Sequence, residues 1–267
     1  MEVHHHSHTS SLPAGKAGKK WTHYFWEFLM LFLAVFCGFL AEYQLEHKIE
    51  RDRAKELAKN FYDELKNDSV SVAEKYQNRI KLENSLQYLI DYFKDSNINN
   101  LSRKFVVNFH TGVMFNIPTV FEPRSAVLEQ LKNSGSLRYF KSNELQKLVG
   151  DISVAIQNVN DRKEIESSYR QTYLVPFLIK HYHSAFETAT RKLGAKNLIE
   201  FIKEYENSNT EIPFRLSKPE TFDAGETNNM LSLFAITCRG SRTIQFQKYI
   251  EVNAELLKLL RKEYHLK

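Results

Sequence analysis

One long apolar segment stands out in a chain whose apolar and polar residues otherwise follow each other at helical spacing. Residues 28–41 hold fourteen positions without a charged or strongly hydrogen-bonding side chain, and aromatic residues extend the run on its N-terminal side. A bilayer core of about 30 Å is crossed by about 20 helical residues. Residues 24–43 supply that length. The pattern therefore predicts a membrane-spanning helix over residues 21–43.

A cleavable signal peptide is the alternative interpretation of this segment. Lys16, Lys19 and Lys20 precede the apolar run, as basic residues do in signal sequences. Three features argue against cleavage: the polar leader is long, the apolar run is at the upper limit for a signal, and bulky residues occupy the place of a small-x-small cleavage motif. Cys37 and Gly38 resemble a lipoprotein cleavage site only faintly. We therefore expect an uncleaved signal anchor.

Two groups of ionisable residues near the anchor have open roles. Residues 1–20 hold almost nothing to bury, which predicts a disordered tail. Its histidines are either part of a solvated native tail or loose ligands for Zn, Ni or Cu; they are His4, His5, His6 and His8. Glu27 lies one turn inside Tyr24, so its carboxylate either reaches the headgroups or serves an ion path or a partner's cation. We favour the solvated tail and the headgroup contact.

The charged flanks of the anchor bear on its orientation. Three lysines precede it, and five Lys or Arg residues follow it among four acidic residues between positions 46 and 59. Counting Lys and Arg alone favours a cytoplasmic domain, yet long domains translocate largely regardless of charge. We expect the N-terminus inside, in the cytoplasm, and the large domain outside.

The anchor is predicted to continue without a break into a stalk helix over residues 44–94. No Pro or Gly occurs between positions 42 and 93, and apolar residues recur every three or four positions. They are Leu45, Ile49, Leu57, Phe61, Leu65, Val72, Tyr76, Ile80, Leu86, Leu89, Ile90 and Phe93. The steps drift around the helix and do not sustain a heptad. We expect the stalk to pack on its own domain more than to form a free coiled coil.

Residues 95–267 are predicted to form a helical domain that packs on the stalk. After a turn, residues 105–120 are rich in β-branched and aromatic side chains, which leaves a short strand pair or an irregular packed loop open. Pro123 and Gly135 then mark the first turn and the left-handed end of a short helix.

Two longer helices complete the predicted domain. A heptad seam continues through Ile165, Tyr169 and Tyr173 to a kink or break at Pro176; it begins with Leu145, Leu148, Ile152, Ala155 and Val159. A final helix is expected from Glu226 or Thr227, with Thr227 as its cap, to about Tyr264, bent at Gly240. Its seam, expected to pack on the stalk, is Phe246, Ile250, Asn253, Leu257 and Leu260. The predicted fold class is all-α: a single transmembrane helix, a helical stalk and an antiparallel helical-bundle-like soluble domain.

Three segments in the first part of the chain resemble one known family. They are YFWEFLMLFLAVFCGFLAE, ERDRAKELAKNFYDELKND and RSAVLEQLKNSGSLRYFKSNELQKLV. They are similar to an uncharacterised bacterial family of single-pass membrane proteins, a domain of unknown function with an anchor, a helical stalk and a motif of the form R-S-A-x-x-E-L-K-S-S-G-x-L followed by I-x-N-x-E-L. The matching positions are Arg124, Ser125, Ala126, Leu131, Lys132, Ser134, Gly135, Leu137, Asn143, Glu144 and Leu145. Asn133 and Phe140 depart from it. The resemblance implies a helical, membrane-anchored domain and no particular activity.

Composition and motifs narrow the function classes. The net charge of +5 arises from 37 basic and 32 acidic residues that are intermixed, without the aromatic pattern of a nucleic-acid module, so we expect no nucleic-acid partner. Cys37 and Cys238 provide no disulfide framework. The chain has no P-loop and no GxGxxG, HExxH, GxSxG or CxxC motif.

The sequence therefore favours a membrane-anchored interaction or scaffold protein, or a ligand-binding protein, over an enzyme. Besides the bilayer, the expected partner is a protein or a second copy of the chain. We assign no catalytic, cofactor-binding or metal-binding residue: His181 and His183 point about 200° apart on a helix, and a lone His110 in an apolar stretch suits the core. The alternative is an enzyme whose site brings together His110, Glu122, Arg124 and His181. A binding protein is expected to expose an apolar or grooved face.

Overall fold

A computed structural model of the chain describes residues 18–95, 98–99, 101–115 and 117–266. All regular structure in these ranges is helical, which confirms the predicted all-α class. The chain divides into two units, Met1–Arg53 and Ala54–Lys267. The histidines of the N-terminal tail, His4, His5, His6 and His8, lie outside the described residues.

The first helix, α1, runs from Gly18 to Asp95. An 18-residue window within it reaches a mean hydropathy of 2.0, and none of that window is buried in the protein's own fold. One described helix, near the N-terminus, is therefore long and apolar enough to cross a membrane. If this segment were in water, its contiguous apolar surface would be exposed to solvent, and soluble proteins rarely expose an apolar patch of that size.

Eight further α-helices follow within the described part of the chain. They are α2 Arg103–Phe109, α3 Ala126–Asn133, α4 Asn143–Tyr169, α5 Val175–His181, α6 Ala185–Lys192, α7 Leu198–Tyr205, α8 Ala224–Gly240 and α9 Gln247–Tyr264. Wider π-helical turns occupy His110–Met114, Arg170–Leu174 and Ser241–Phe246. Short 3₁₀ turns occupy Ile117–Thr119, Ser136–Tyr139 and Pro219–Thr221.

The domain from Ala54 onward holds two apolar core clusters, both built on α1. The first joins α1 to α3, α4 and α9, with Phe61, Ile152 and Tyr249 fully enclosed. The second joins the later part of α1 to α2 and to α5–α8, with Phe105 and Phe186 at its centre. Along α1, burial begins at Ala54, and most of its buried apolar residues from there onward belong to these two clusters.

The two predicted seams differ in how closely the structure follows them. The seam residues of α4 from Leu145 to Val159 are buried, whereas Ile165 and Tyr173, further along the predicted seam, are exposed.

In the final predicted seam, Phe246, Asn253 and Leu260 are buried, and Ile250 and Leu257 are only partly buried. Tyr249 and Leu256, one position before the latter two, are enclosed instead. The helices α4 and α9 pack along each other and on α1.

Residues 105–120 are not a strand pair, because they form α2, a π turn and a 3₁₀ turn. Ser102 caps α2 by accepting a hydrogen bond from the Phe105 backbone N–H at 3.2 Å. A Cβ on Gly112 would lie 3.4 Å from the backbone nitrogen of Leu86 on α1, so the missing side chain allows the close approach. Burial against α1 overrides the β-propensity of this stretch.

Other boundaries also differ from the predictions. Pro123 precedes α3 instead of occupying its first turn, while Gly135 adopts the expected left-handed conformation, with φ +66°. The final helix begins at Ala224, and its cap is Asp223 rather than Thr227, because the Asp223 carboxylate accepts the Glu226 N–H at 2.8 Å. A π turn directly precedes α5, which has Pro176 in its first turn, and another follows Gly240.

Candidate ligand-binding site

A cavity of about 440 Å³ lies between the end of α4 with α5 on one side and the start of α8 on the other. This volume falls within the range of small-molecule sites, about 300–1,000 Å³. The lining residues are Tyr169, Thr172, Tyr173, Pro176, Phe177, Lys180, His181, Thr221, Asp223, Glu226, Thr227, Asn229, Met230 and Leu233. His181 and Thr227 are buried at its base, and Tyr173 and Leu233 are exposed at its rim.

Aromatic side chains form one wall of this cavity. The ring centroids of Tyr169 and Tyr173 lie 4.8 Å apart, and those of Phe177 and His181 lie 5.2 Å apart. Tyr169 directly precedes the π turn Arg170–Leu174 and Tyr173 lies within it, and their spacing of four residues keeps the two rings on the same side. Such turns inside helices occur frequently at functional sites.

The π turn is held in place from the opposite side by Arg170. Its guanidinium donates hydrogen bonds to the carbonyls of Val113 at 2.8 Å and Met114 at 2.9 Å, both in the π turn His110–Met114. Burial lowers the pKa of Arg170 from its ordinary value. Arg170 therefore adds polar contacts to the packing of Tyr169 and Phe177 on the second core cluster.

His181 occupies the base of the cavity and is only 4% exposed. Its Nδ1 lies 3.0 Å from the Ser217 carbonyl. Because a carbonyl only accepts hydrogen bonds, Nδ1 carries the hydrogen and Nε2 of the neutral ring is an acceptor. Across the described residues, no hydrogen bond engages that Nε2.

Buried ion pairs join α1 to the helices beside this site. Arg79, which is 3% exposed, forms two hydrogen bonds of 2.8 Å to Glu166 of α4 and lies over the Phe246 ring at 4.5 Å. Glu83 likewise accepts two hydrogen bonds from Arg242, at 2.6 and 2.8 Å. These bidentate pairs fix the register of the helices. In each pair, the charge of the guanidinium is balanced by the charge of the carboxylate.

The segment that carries the family resemblance starts α3, and α1 holds it there with two carboxylates. Asp68 accepts the Arg124 backbone N–H at 2.8 Å and the Tyr249 hydroxyl at 2.9 Å. Glu64 accepts the Val127 N–H at 3.2 Å. Burial raises the pKa of both carboxyls. An acidic pair one helical turn apart inside an apolar stripe was the available signal for this contact, which the sequence reasoning missed.

The four residues that the alternative interpretation as an enzyme would bring together have separate contacts in the structure. His110 lies in the second core cluster with its Nδ1 2.7 Å from the Val106 carbonyl, and burial lowers its pKa to about 4. Glu122 pairs with a lysine at 3.1 Å, Arg124 pairs with an aspartate at 3.5 Å, and His181 lies at the cavity. No contact found in the described ranges joins any two of the four.

The described residues also contain no cluster of three or more His, Cys, Asp or Glu side chains suited to a metal ion. His181 bonds to the Ser217 carbonyl, whereas the Nε2 of His183 lies 3.2 Å from Arg215. Cys37 and Cys238 are both free thiols.

The cavity residues gave no local signal, because its walls come from positions about fifty residues apart. Tyr169 and Tyr173 had the spacing of a buried seam, and a periodicity of 3.6 does not reveal the π turn at this place. Glu226 was noted only as a possible first residue of the final helix.

Compared with protein-family models, with curated proteins and with solved structures, the chain matches none of them.

Proposed function

We propose that this chain is a membrane-anchored helical binding protein whose cavity beside α5 and α8 takes a ligand. The observation that carries the proposal is the cavity itself: three aromatic rings and a buried histidine form its interior, and its rim exposes Tyr173 by 53% and Leu233 by 56%. Exposed apolar residues around a concave site are typical of binding surfaces.

The anchor in this proposal is residues 21–43, which cross a bacterial inner membrane once and leave the domain in the periplasm. Support comes from the apolar window of α1, which has no cover within the protein. Fusion of alkaline phosphatase or green fluorescent protein to the C-terminus tests the sidedness. Phosphatase activity with a dark fluorescent fusion is expected; the reverse pattern would place the domain in the cytoplasm.

A partner protein or a second copy of the chain belongs to the same proposal. In the anchor, a Cβ on Gly38 would have nothing within 4 Å, so another helix has room to approach there. The enzyme alternative receives no comparable support, because its four residues have separate contacts.

Methionine methyl groups offer a direct test of ligand binding at the cavity. The chain has four methionines, and only Met230 lines this cavity. The full chain, labelled with methyl-¹³C methionine in lipid nanodiscs, is screened against a mixed library of small neutral, cationic and anionic compounds. We expect a compound that shifts the Met230 signal saturably and leaves Met114 unchanged.

Two outcomes of this screen bear on the proposal. Loss of that shift in Tyr173→Ala, with an unchanged helical circular dichroism spectrum, supports binding at the cavity. If no compound moves the Met230 signal, or if every compound that does also moves Met30 in the anchor, the shifts reflect lipid partitioning and the cavity is not a binding site.

A further inference from the structure

The chemistry of the cavity interior depends on which hydrogen-bonding groups remain free there, given that it is the binding site proposed above. Of the five lining hydroxyls, those of Tyr169, Thr221 and Thr227 already donate to backbone carbonyls. The Tyr169 hydroxyl donates to Met230 at 2.8 Å, Thr227 Oγ1 to Asp223 at 2.7 Å, and Thr221 Oγ1 to Lys218 at 3.1 Å. Because a hydroxyl has one hydrogen, each of these groups has only lone pairs left for a ligand.

His181 has the same property at the base of the cavity. Its Nδ1–H is directed to the Ser217 carbonyl at 3.0 Å, so its remaining nitrogen accepts. The side chain is 96% buried and lines the cavity, and Nε2 has no hydrogen-bond partner in the ranges that the structure describes. A ligand that displaces solvent from Nε2 therefore has to bring a hydrogen-bond donor, because otherwise this acceptor would be left unpaired.

The charges at the rim favour a cation over an anion. Asp223 and Glu226 line the cavity, and Lys180 is the one basic residue among the lining set. Lys180 already donates to the Thr221 carbonyl at 3.2 Å. The Asp223 carboxylate caps α8, whereas the Glu226 carboxylate takes part in no ion pair found among the described residues. The lining residues Asp223, Glu226 and Lys180 together therefore carry one more negative than positive charge.

The aromatic wall adds an attraction of the same sign. Tyr169, Tyr173 and Phe177 present three rings to the cavity, and the face of an aromatic ring attracts an ammonium group. We infer that this cavity binds an organic cation: a protonated primary amine on a small apolar body, with the ammonium against the ring faces and donating to the free acceptors.

Phenethylamine and two close analogues test this inference in the full chain. Phenethyl alcohol keeps the ring and linker without the charge, and phenylacetate reverses the charge. Titrated into nanodisc-embedded protein and followed by the Met230 methyl signal, the amine is expected to bind about tenfold more tightly than the alcohol, equivalent to about 1.4 kcal/mol. Phenylacetate is expected to leave the signal unchanged.

Two variants and a matched control locate the interaction. Glu226→Gln removes the free carboxylate at an exposed position and is expected to weaken amine binding several-fold while leaving the alcohol unaffected. Tyr173→Leu keeps an apolar rim without a ring and is expected to act in the same direction. Glu220→Gln changes an exposed acid in the 3₁₀ turn before α8 that does not line the cavity, and amine binding should be unchanged.

The possible outcomes separate this inference from the proposed function. If the alcohol or phenylacetate binds as tightly as the amine, the cation inference is overturned and the cavity remains a binding site. The same holds if other compounds of the library move the Met230 signal and the amine does not. If nothing moves that signal, the proposed function fails and the inference fails with it.

Discussion

The buried pair of Arg79 and Glu166 is the contact whose loss should destabilise the domain most. Arg79 is 3% exposed and Glu166 is 7% exposed, and two hydrogen bonds of 2.8 Å join them. Arg79 Nε also donates to the Thr119 carbonyl at 3.1 Å. Glu166→Leu removes the carboxylate and leaves the guanidinium buried without its counter-charge.

The size of the effect follows from this geometry. Breaking a buried pair by removing one partner costs about 3–5 kcal/mol, because the remaining charge stays desolvated. In the double variant Arg79→Met with Glu166→Leu, no charge remains, and the lost hydrogen bond to Thr119 costs about 1 kcal/mol. The double variant is therefore expected to be about 2–4 kcal/mol more stable than Glu166→Leu alone.

Urea unfolding of the full chain in dodecyl maltoside, followed by circular dichroism at helical wavelengths, measures these differences. The control is Glu122→Gln, which removes a surface pair with Lys163 at 3.1 Å and should change stability by less than about 1 kcal/mol. The reasoning is refuted if Glu166→Leu costs no more than this control, or if the double variant is less stable than either single variant.

Two further predictions concern His110 and Tyr249. Burial lowers the folded pKa of His110 from 6.5 to about 4, so the unfolded state binds the extra proton between these values, and the free energy of unfolding falls as pH drops from 6.5 toward 4. The loss amounts to about 3 kcal/mol, and His110→Gln should abolish that component of the pH dependence; parallel pH curves for the two proteins would contradict it. Tyr249→Phe removes a hydrogen bond of 2.9 Å to buried Asp68 and should cost about 1.5–3 kcal/mol in urea unfolding. Tyr264→Phe is its control, and equal effects of the two would show that the hydroxyl of Tyr249 contributes nothing.

Helices with an apolar stripe on one face were predictable from the sequence. The buried seam of α4 and the packing of the last helix on α1 follow from spacings of three and four residues, which burial on one helical face requires. Gly135 was also predictable, because its left-handed conformation after α3 suits glycine.

Features that depend on tertiary packing were not predictable in this way. The stretch around Gly112 became helical because its apolar side chains are enclosed against α1, which local propensity does not register. Asp223 and Thr227 are both acceptable caps by residue type, and only the geometry of the loop before α8 selects Asp223. The cavity forms where residues of α5 and α8 lie close together, and no residue spacing along the chain predicts that contact.

The central claim is that residues 21–43 lie across a lipid bilayer, and tryptophan fluorescence tests it directly. The chain has two tryptophans, Trp21 and Trp26, both at the N-terminal side of this segment. Replacing both with Phe and introducing Leu33→Trp places a single indole at the middle of the segment.

Quenching of that indole is measured in liposomes whose lipids carry bromine either near the headgroup or near the chain ends. A membrane-spanning helix predicts stronger quenching by the deep bromines and little quenching by acrylamide in the water. Efficient quenching by acrylamide, or stronger quenching by the shallow bromines, would show that the segment does not cross the bilayer.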